Sequence, residues 1–380
     1  RARARSHPRL KAASQAASWY ANASYFRVEA LPWLAAGLWS ANLAESANAP
    51  DIAGTAYVNL ANIFGTVHLR PLERLYMRLA SLSPERRVDN IAHSSKAVVE
   101  MLHAEWDAAR ATIEAGTAKS RASGDWWALG NGLTIRALIE YYTEPLETCL
   151  PTFDEVARVM AERDHPAQEG YGLVFCVPAL LSLGRLEDAR NRLELGAGRL
   201  DEFDYFGRLS WHAAMAAVHL REDNPDDAVA SAEKALTMFK EKPLMLFTYG
   251  GPFLMLAEVL LTVLERGQPL ARFGLEELRT LAKTAVGNLG QGAITFRYFQ
   301  PRALLAKGVM AAIAGKDPSK TLDKALAAAQ RWSQPWDEGR VQAEIARRAP
   351  AGSPRAATAA AAARAILEPM GAEADLIGVP

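Results

Sequence analysis

The chain is poor in cysteine: 380 residues contain two, Cys149 and Cys176. Two thiols cannot form a disulfide scaffold, and neither belongs to a Cys-x-x-Cys pair, so both are expected to be buried free thiols. There is no excess of charge of either sign. Forty-three basic and 43 acidic residues cancel to a formal net charge of zero, which removes the simplest ground for nucleic-acid binding. No apolar run is long enough for a membrane. The strongest, Pro252 to Leu264, is interrupted by Glu258 and falls short of the roughly 18–20 residues a bilayer requires. No apolar segment follows the basic start, so a signal peptide is not expected either. These features predict a soluble, cytoplasmic protein that contacts neither membrane nor nucleic acid. Sustained period-two alternation rich in Val, Ile and Thr is also missing, which excludes a sheet-based fold.

What the chain does have is helix-forming capacity. Half of its residues are hydrophobic, 23% are charged, and about a fifth are Ala, the strongest helix former. It is too apolar to be disordered and too long for one compact core, which rarely grows past about 250–300 residues. An extended repeat array resolves that conflict. Apolar positions recur at three and four, as in Ala228, Ala232 and Ala235 or Ala325, Ala328 and Ala329. Turn signals punctuate the pattern at Asn48-Ala49-Pro50, Ser83-Pro84, Ser123-Gly124, His165-Pro166, Asn224-Pro225, Lys242-Pro243, Gly267-Gln268-Pro269, Asp317-Pro318, Gln334-Pro335 and Ser353-Pro354.

Four stretches share one plan. Leu102 to Ala109, Leu183 to Arg190, Arg221 to Ala228 and Ala314 to Leu322 each pass through a turn and a few polar residues. Each then presents a small or apolar residue able to press on the preceding helix. That is the turn inside a tetratricopeptide-type helical hairpin, with units nearer 40 residues than 34, so that about nine pairs fit the chain. The expected fold is all-α, an α-solenoid or right-handed superhelix of degenerate tetratricopeptide-like hairpins. Residues 1–10 read as a basic N-terminal extension at a fragment end, 11–350 as the solenoid, and 351–380 as an Ala-rich capping helix and tail. The alternative for the four Arg among the first nine residues is an arm for phosphate or acidic lipid.

Residues for chemistry are sparse. There is no Gly-x-x-x-x-Gly-Lys-Ser/Thr loop, no kinase motif set and no Gly-x-Ser-x-Gly elbow. Gly287 to Gly292 is Gly-rich but lacks the lysine and the preceding strand, and reads as a helix end and turn. His212 and His219 are seven apart, whereas a zinc pair on one helix normally sits at i and i+4. The pairs Asp226-Asp227 and Glu276-Glu277 suit helix starts. No catalytic residue, metal site or cofactor is therefore expected. The best binding candidates are aromatic: Trp126 and Trp127, Tyr141 and Tyr142, Arg297 with Tyr298 and Phe299, and Trp332 with Trp336. Adjacent aromatics on a helix should not all face one core, and exposed Trp, Tyr and Arg are favoured at binding hot spots. The competing reading is that these rings plug gaps between irregular repeats.

The stretch Pro301 to Val309, Ala314-Gly315 and Ala325 to Ala329, then Pro335 to Ala346 and the ending Ile366 to Ala372, resembles the last repeats of one bacterial family. This is the C-terminal helical-repeat region of multidomain signalling ATPases, in which a class III adenylate/guanylate cyclase or a serine/threonine kinase is fused to an AAA- or STAND-type ATPase. Leu38 to Glu45 and Ala56 to Leu60 are similar to the early repeats of that region. The resemblance covers most of the chain through helix-packing patterns. It implies a non-catalytic regulatory module, with a protein or upstream domains of the same chain as partner and any enzymatic domains outside this stretch. A small-molecule effector held inside the superhelix, or a helical-hairpin enzyme, are the alternatives.

Overall fold

The computed structural model describes residues 7–27, 29–82, 86–242 and 250–380. The turns expected at Ser83-Pro84 and Lys242-Pro243 and the Arg-rich start fall wholly or partly outside these residues. All regular structure among them is helical: α1 (Pro8–Phe26), α2 (Ala30–Ser46), α3 (Pro50–Thr66), α4 (Arg70–Ser81), α5 (Arg86–Leu102), α6 (Trp106–Ser123), α7 (Trp126–Thr143), α8 (Leu146–Ala161), α9 (Pro166–Val174), α10 (Val177–Ser182), α11 (Leu186–Ala197), α12 (Tyr205–Arg221), α13 (Pro225–Glu241), α14 (Gly250–Arg266), α15 (Leu275–Thr295), α16 (Gln300–Ile313), α17 (Ser319–Arg331), α18 (Pro335–Arg348) and α19 (Pro354–Leu367). With α9 and α10 taken as one broken helix, eight of the nine expected hairpins pack in chain order: α1 with α2, α3 with α4, α5 with α6, α9 and α10 with α11, α12 with α13, α14 with α15, α16 with α17 and α18 with α19.

One local device closes eight of the turns. The second or third residue past a helix adopts a left-handed conformation, at Asn48, His68, Ala104, Asp164, Gly184, Asp223, Gly315 and Ser333. Its N–H and that of the next residue then turn back on the free carbonyls of the helix end. Ala104 N donates to Met101 O at 2.9 Å and Glu105 N to Glu100 O at 2.9 Å; Asp223 and Asn224 repeat this on Leu220 and His219 at 3.2 and 2.9 Å. This is the Schellman arrangement. Proline at the first helical position, as at Pro50, Pro166, Pro225, Pro335 and Pro354, then starts the return helix with its φ preset. At Asp317-Pro318 the helix begins one residue later, at Ser319, whose N–H is accepted by Asp317 Oδ1 at 2.9 Å.

The chain folds as two compact units, one ending at Arg136 and one running from Ala137 to Pro380. The residue pattern does not announce this division, which falls inside α7. In the first unit, α3 packs on both α1 and α5 while α2, α4 and α6 pair with their partners. Trp33, Leu60 and Ile63 fill the core among small residues such as Ala36 and Ala56. In the second unit, first helices stack in succession as α12, α14, α16 and α18, backed by α13, α15, α17 and α19. Polar ties join successive hairpins: Asn62 to Ser95, Arg190 to Glu222, Tyr171 to Asp204 and Arg355 to Asp323, 32 or 33 residues apart. The fold is thus an all-α solenoid of helical hairpins.

Two expectations fail locally. Gly287 to Gly292 lies inside α15 instead of ending it. Val286, Leu289 and Ala293 give that stretch a buried apolar stripe, which outweighs the roughly 1 kcal/mol each Gly costs in a helix. Tyr141 and Tyr142 are adjacent yet both buried, because the end of α7 is packed on more than one side.

Candidate functional site

The second unit has a cleft lined by the first helices of its hairpins. Ala217, Leu220 and Arg221 come from α12, Leu254, Glu258 and Leu261 from α14, Leu305 and Val309 from α16, and Arg340, Glu344, Arg347 and Arg348 from α18. Residues 374 and 375, after α19, complete one wall, and the widest part holds about 180 Å³. Four Arg face four acids, so the cleft has no net charge. Arg340 Nη2 lies 2.7 Å from Glu258 Oε2, Arg221 Nη2 lies 3.6 Å from Glu258 Oε1, and Arg347 Nη1 lies 3.2 Å from Glu344 Oε2. Arg348 bridges Glu265, at 2.8 Å from Oε2, and Glu344, at 2.5 Å from Oε1. Burial raises the Glu258 carboxyl, but the Arg340 and Arg221 guanidinium groups outweigh it and hold the pKa below its ordinary value.

Beneath the cleft sits a polar lock. Arg302 of α16 is fully buried and donates through Nε to both carboxylate oxygens of Asp337 on α18, at 2.9 and 3.0 Å. Its guanidinium lies over the rings of Tyr142 at 4.6 Å, Trp336 at 5.2 Å and Tyr141 at 5.3 Å. Gln334 Nε2 donates to Asp337 Oδ2 at 3.0 Å. Burial pushes the Asp337 carboxyl up while Arg302 pulls it down, and burial prevails. A neutralising carboxylate and three ring faces offset the desolvation of Arg302. This geometry ties α7, α16 and α18 together.

The nine candidate residues separate accordingly. Tyr141, Tyr142, Tyr298 and Trp336 converge on Arg302, with Tyr142 and Tyr298 edge-to-face at a centroid distance of 5.2 Å. Phe299 packs so closely on α14 that a Cβ at Gly250 would meet its ring at 2.3 Å. Trp332 donates to Gln300 Oε1 at 3.2 Å. These six are buried, so in this structure they fill the packing, as in the gap-plugging alternative, and of them Trp336 also borders the cleft. Arg297 is exposed, and Trp126 and Trp127 are half-buried at the start of α7. The aromatic search missed the charged residues of the cleft, although Arg302 and Asp337 had a usable signal: opposite charges 35 apart, each in the first turn of a first helix.

Among the described residues, the remaining titratable groups make no further centre. His212 is buried on α12, and burial lowers its pKa to about 4. In the first unit His103 Nε2 lies 3.9 Å from Glu73 Oε2, whose carboxyl is raised by burial. Cys149 and Cys176 are buried free thiols, raised by burial, Cys176 to about 12. Among the described residues no three His, Cys, Asp or Glu side chains are placed to share a metal ion, and no helix is long and apolar enough to cross a membrane.

No family model matches the chain, and no curated protein matches it. Among solved structures it is similar to a signal transduction ATPase with numerous domains from Pyrococcus horikoshii, described as carrying a tetratricopeptide repeat sensor. That likeness has a TM-score of 0.49 at 15% identity, and covers 81% of this chain and 45% of the other. The chain therefore spans less than half the length of that protein.

Proposed function

We propose that this chain is a non-catalytic regulatory module of a signalling protein, and that the cleft of its second unit receives a protein partner or another domain of the same protein. The observation that carries this reading is the cleft itself. Five successive first helices, α10, α12, α14, α16 and α18, contribute to it, so a bound segment touches several repeats at once and responds to their spacing. Its outer pairs, Arg221 with Glu258 and Arg348 with Glu265, are partly exposed, so a partner's charges can reach and exchange with them. The space of about 180 Å³ is smaller than the roughly 300–1,000 Å³ of a drug-sized ligand site, which favours a protein segment over an enclosed effector. The resemblance to the repeat tails of cyclase- and kinase-bearing ATPases supports the regulatory role. Trp126, Trp127 and Arg297 remain candidate contacts outside the cleft.

The test compares recovery of interacting proteins by the wild type, by Arg347→Glu on the cleft wall and by Arg279→Glu on α15. The expected result is loss of specific proteins with Arg347→Glu and retention with Arg279→Glu. Equal recovery by all three contradicts the reading.

A further inference from the structure

We propose that Trp336, Arg340 and Arg347 form a docking pocket for a short acidic protein segment, and that residues 373–376 of this chain occupy that pocket in cis. The inference deepens the partner-module reading and rests on it. After α19 the chain turns at Gly371 into a short 3-10 turn over Glu373–Leu376 and is laid against α18. Trp336 Nε1 donates to Asp375 Oδ2 at 2.8 Å, and Arg340 Nε stands 3.7 Å from Asp375 Oδ1. Arg347 Nη2 donates to the backbone carbonyls of Asp375 and Ile377 at 2.5 and 2.9 Å. The pocket thus reads one carboxylate and two main-chain carbonyls, groups that any short acidic segment presents.

Three further observations point to an exchangeable occupant. The pocket does not need the tail to hold its shape: Glu258 fixes Arg340 at 2.7 Å, the Trp336 ring lies 4.9 Å from the Arg340 guanidinium, and Glu344 fixes Arg347 at 3.2 Å. Beyond buried Asp375 the tail's anchors are solvent-exposed or part-buried: Ile377 is 72% exposed, the Arg347 bonds to Ile377 O and the Arg364 Nη2 bond to Pro380 O at 2.6 Å lie in solvent, and Val379 packs part-buried on the core formed by α16 to α19. The tail also leaves space beside itself. The volume of about 180 Å³ is bounded by Ala374 and Asp375 on one side and by Leu261, Leu305 and Val309 on the other, and would take the next side chains of a longer ligand. The fitting partner is an acidic segment with an apolar residue close to its carboxylate, which displaces residues 373–376 when it binds.

The probe is a fluorescent peptide with the sequence of residues 371–380, titrated by anisotropy. It is added to the full chain, to the chain ended at Ala372, and to that shortened chain carrying Arg347→Ala. The shortened chain, folded by circular dichroism, is expected to bind at least tenfold tighter than the full chain. Arg347→Ala, or a peptide carrying Asp375→Asn, is expected to lose at least tenfold. Equal binding by full and shortened chains, or indifference to Asp375→Asn, overturns the proposal. If the shortened chain does not fold, hydrogen exchange on full-length Asp375→Asn decides. Amides of 373–380 should exchange at least tenfold faster than in the wild type with α14, α16 and α18 unchanged; unchanged tail exchange overturns it. A negative result here combined with partner loss by Arg347→Glu refutes the cis occupant and leaves the module reading standing.

Discussion

Arg302 and Asp337 are locked together out of solvent, 35 residues apart in sequence and 2.9 Å apart in space. The pair joins two successive first helices, α16 and α18. Through the rings of Tyr141 and Tyr142 it also reaches α7, 160 residues away in sequence at its Tyr142 contact. Neighbour-only packing would not produce such a link. It makes the inner side of the second unit a tied core beneath the cleft.

Removing one member of a buried pair strands the other, at a typical cost of about 3–5 kcal/mol, whereas replacing both with apolar residues is often neutral. Arg302→Met and Asp337→Leu should each lower stability by that order, and the double variant should recover most of the loss. Urea unfolding followed by circular dichroism measures the cycle. Single variants within about 1 kcal/mol of the wild type would show that the pair is not a lock.

Helix packing sets a second expectation. A Cβ on Gly172 of α9 would stand 2.5 Å from Ala157 N and 2.7 Å from Phe153 O, both backbone atoms of α8. Backbone cannot swing aside, so Gly172→Ala should destabilise by at least the roughly 1–3 kcal/mol of ordinary overpacking. Ala104, left-handed at φ 56°, offers the reverse: Ala104→Gly should be neutral to stabilising by up to about 1 kcal/mol. Thermal midpoints test both, and a tolerated Gly172→Ala would mean that α8 and α9 are not in close contact.

The hairpin plan was legible because its cues are local. Spacing of three and four, proline at the first helical position and the polar turns at Ala104, Gly184, Asp223 and Gly315 each act within a few residues. The interior was not legible, because it depends on which distant helices converge. Tyr141 and Tyr142 look half-exposed on a single helix, and only Trp336 on one side and Tyr298 on the other bury both. The cleft acids and arginines, such as Glu258 and Arg340, 82 apart, resemble any solvated helix face until they are brought together.

His212 supplies a pH dependence. Its folded pKa, about 4 and lowered chiefly by burial, lies below an unfolded value near 6.5, so the unfolded chain binds the extra proton first. Stability is therefore complete above about pH 6.5 and declines as pH falls toward 4. Between pH 7 and 5 the His212 contribution should fall by about 1–2 kcal/mol. In His212→Gln this part of the pH dependence should vanish; an unchanged slope in the variant would assign it elsewhere.

Cys149 and Cys176 are buried, and burial pushes both thiols up, Cys176 to about 12. With little thiolate and no access, they should react with a thiol reagent at least 100-fold more slowly in the native protein than in urea. Rapid native labelling of either would show that the second unit opens readily.

The claim that the cleft is the working face is tested most directly by photo-crosslinking in cells. One crosslinker replaces Val309, in the cleft wall on α16, and another replaces Lys283, exposed on α15 outside it. The account predicts a discrete adduct from position 309 that disappears when Arg347→Glu is added, with none of the same mass from position 283. Adducts from position 283 alone, or from both positions regardless of Arg347, would contradict it.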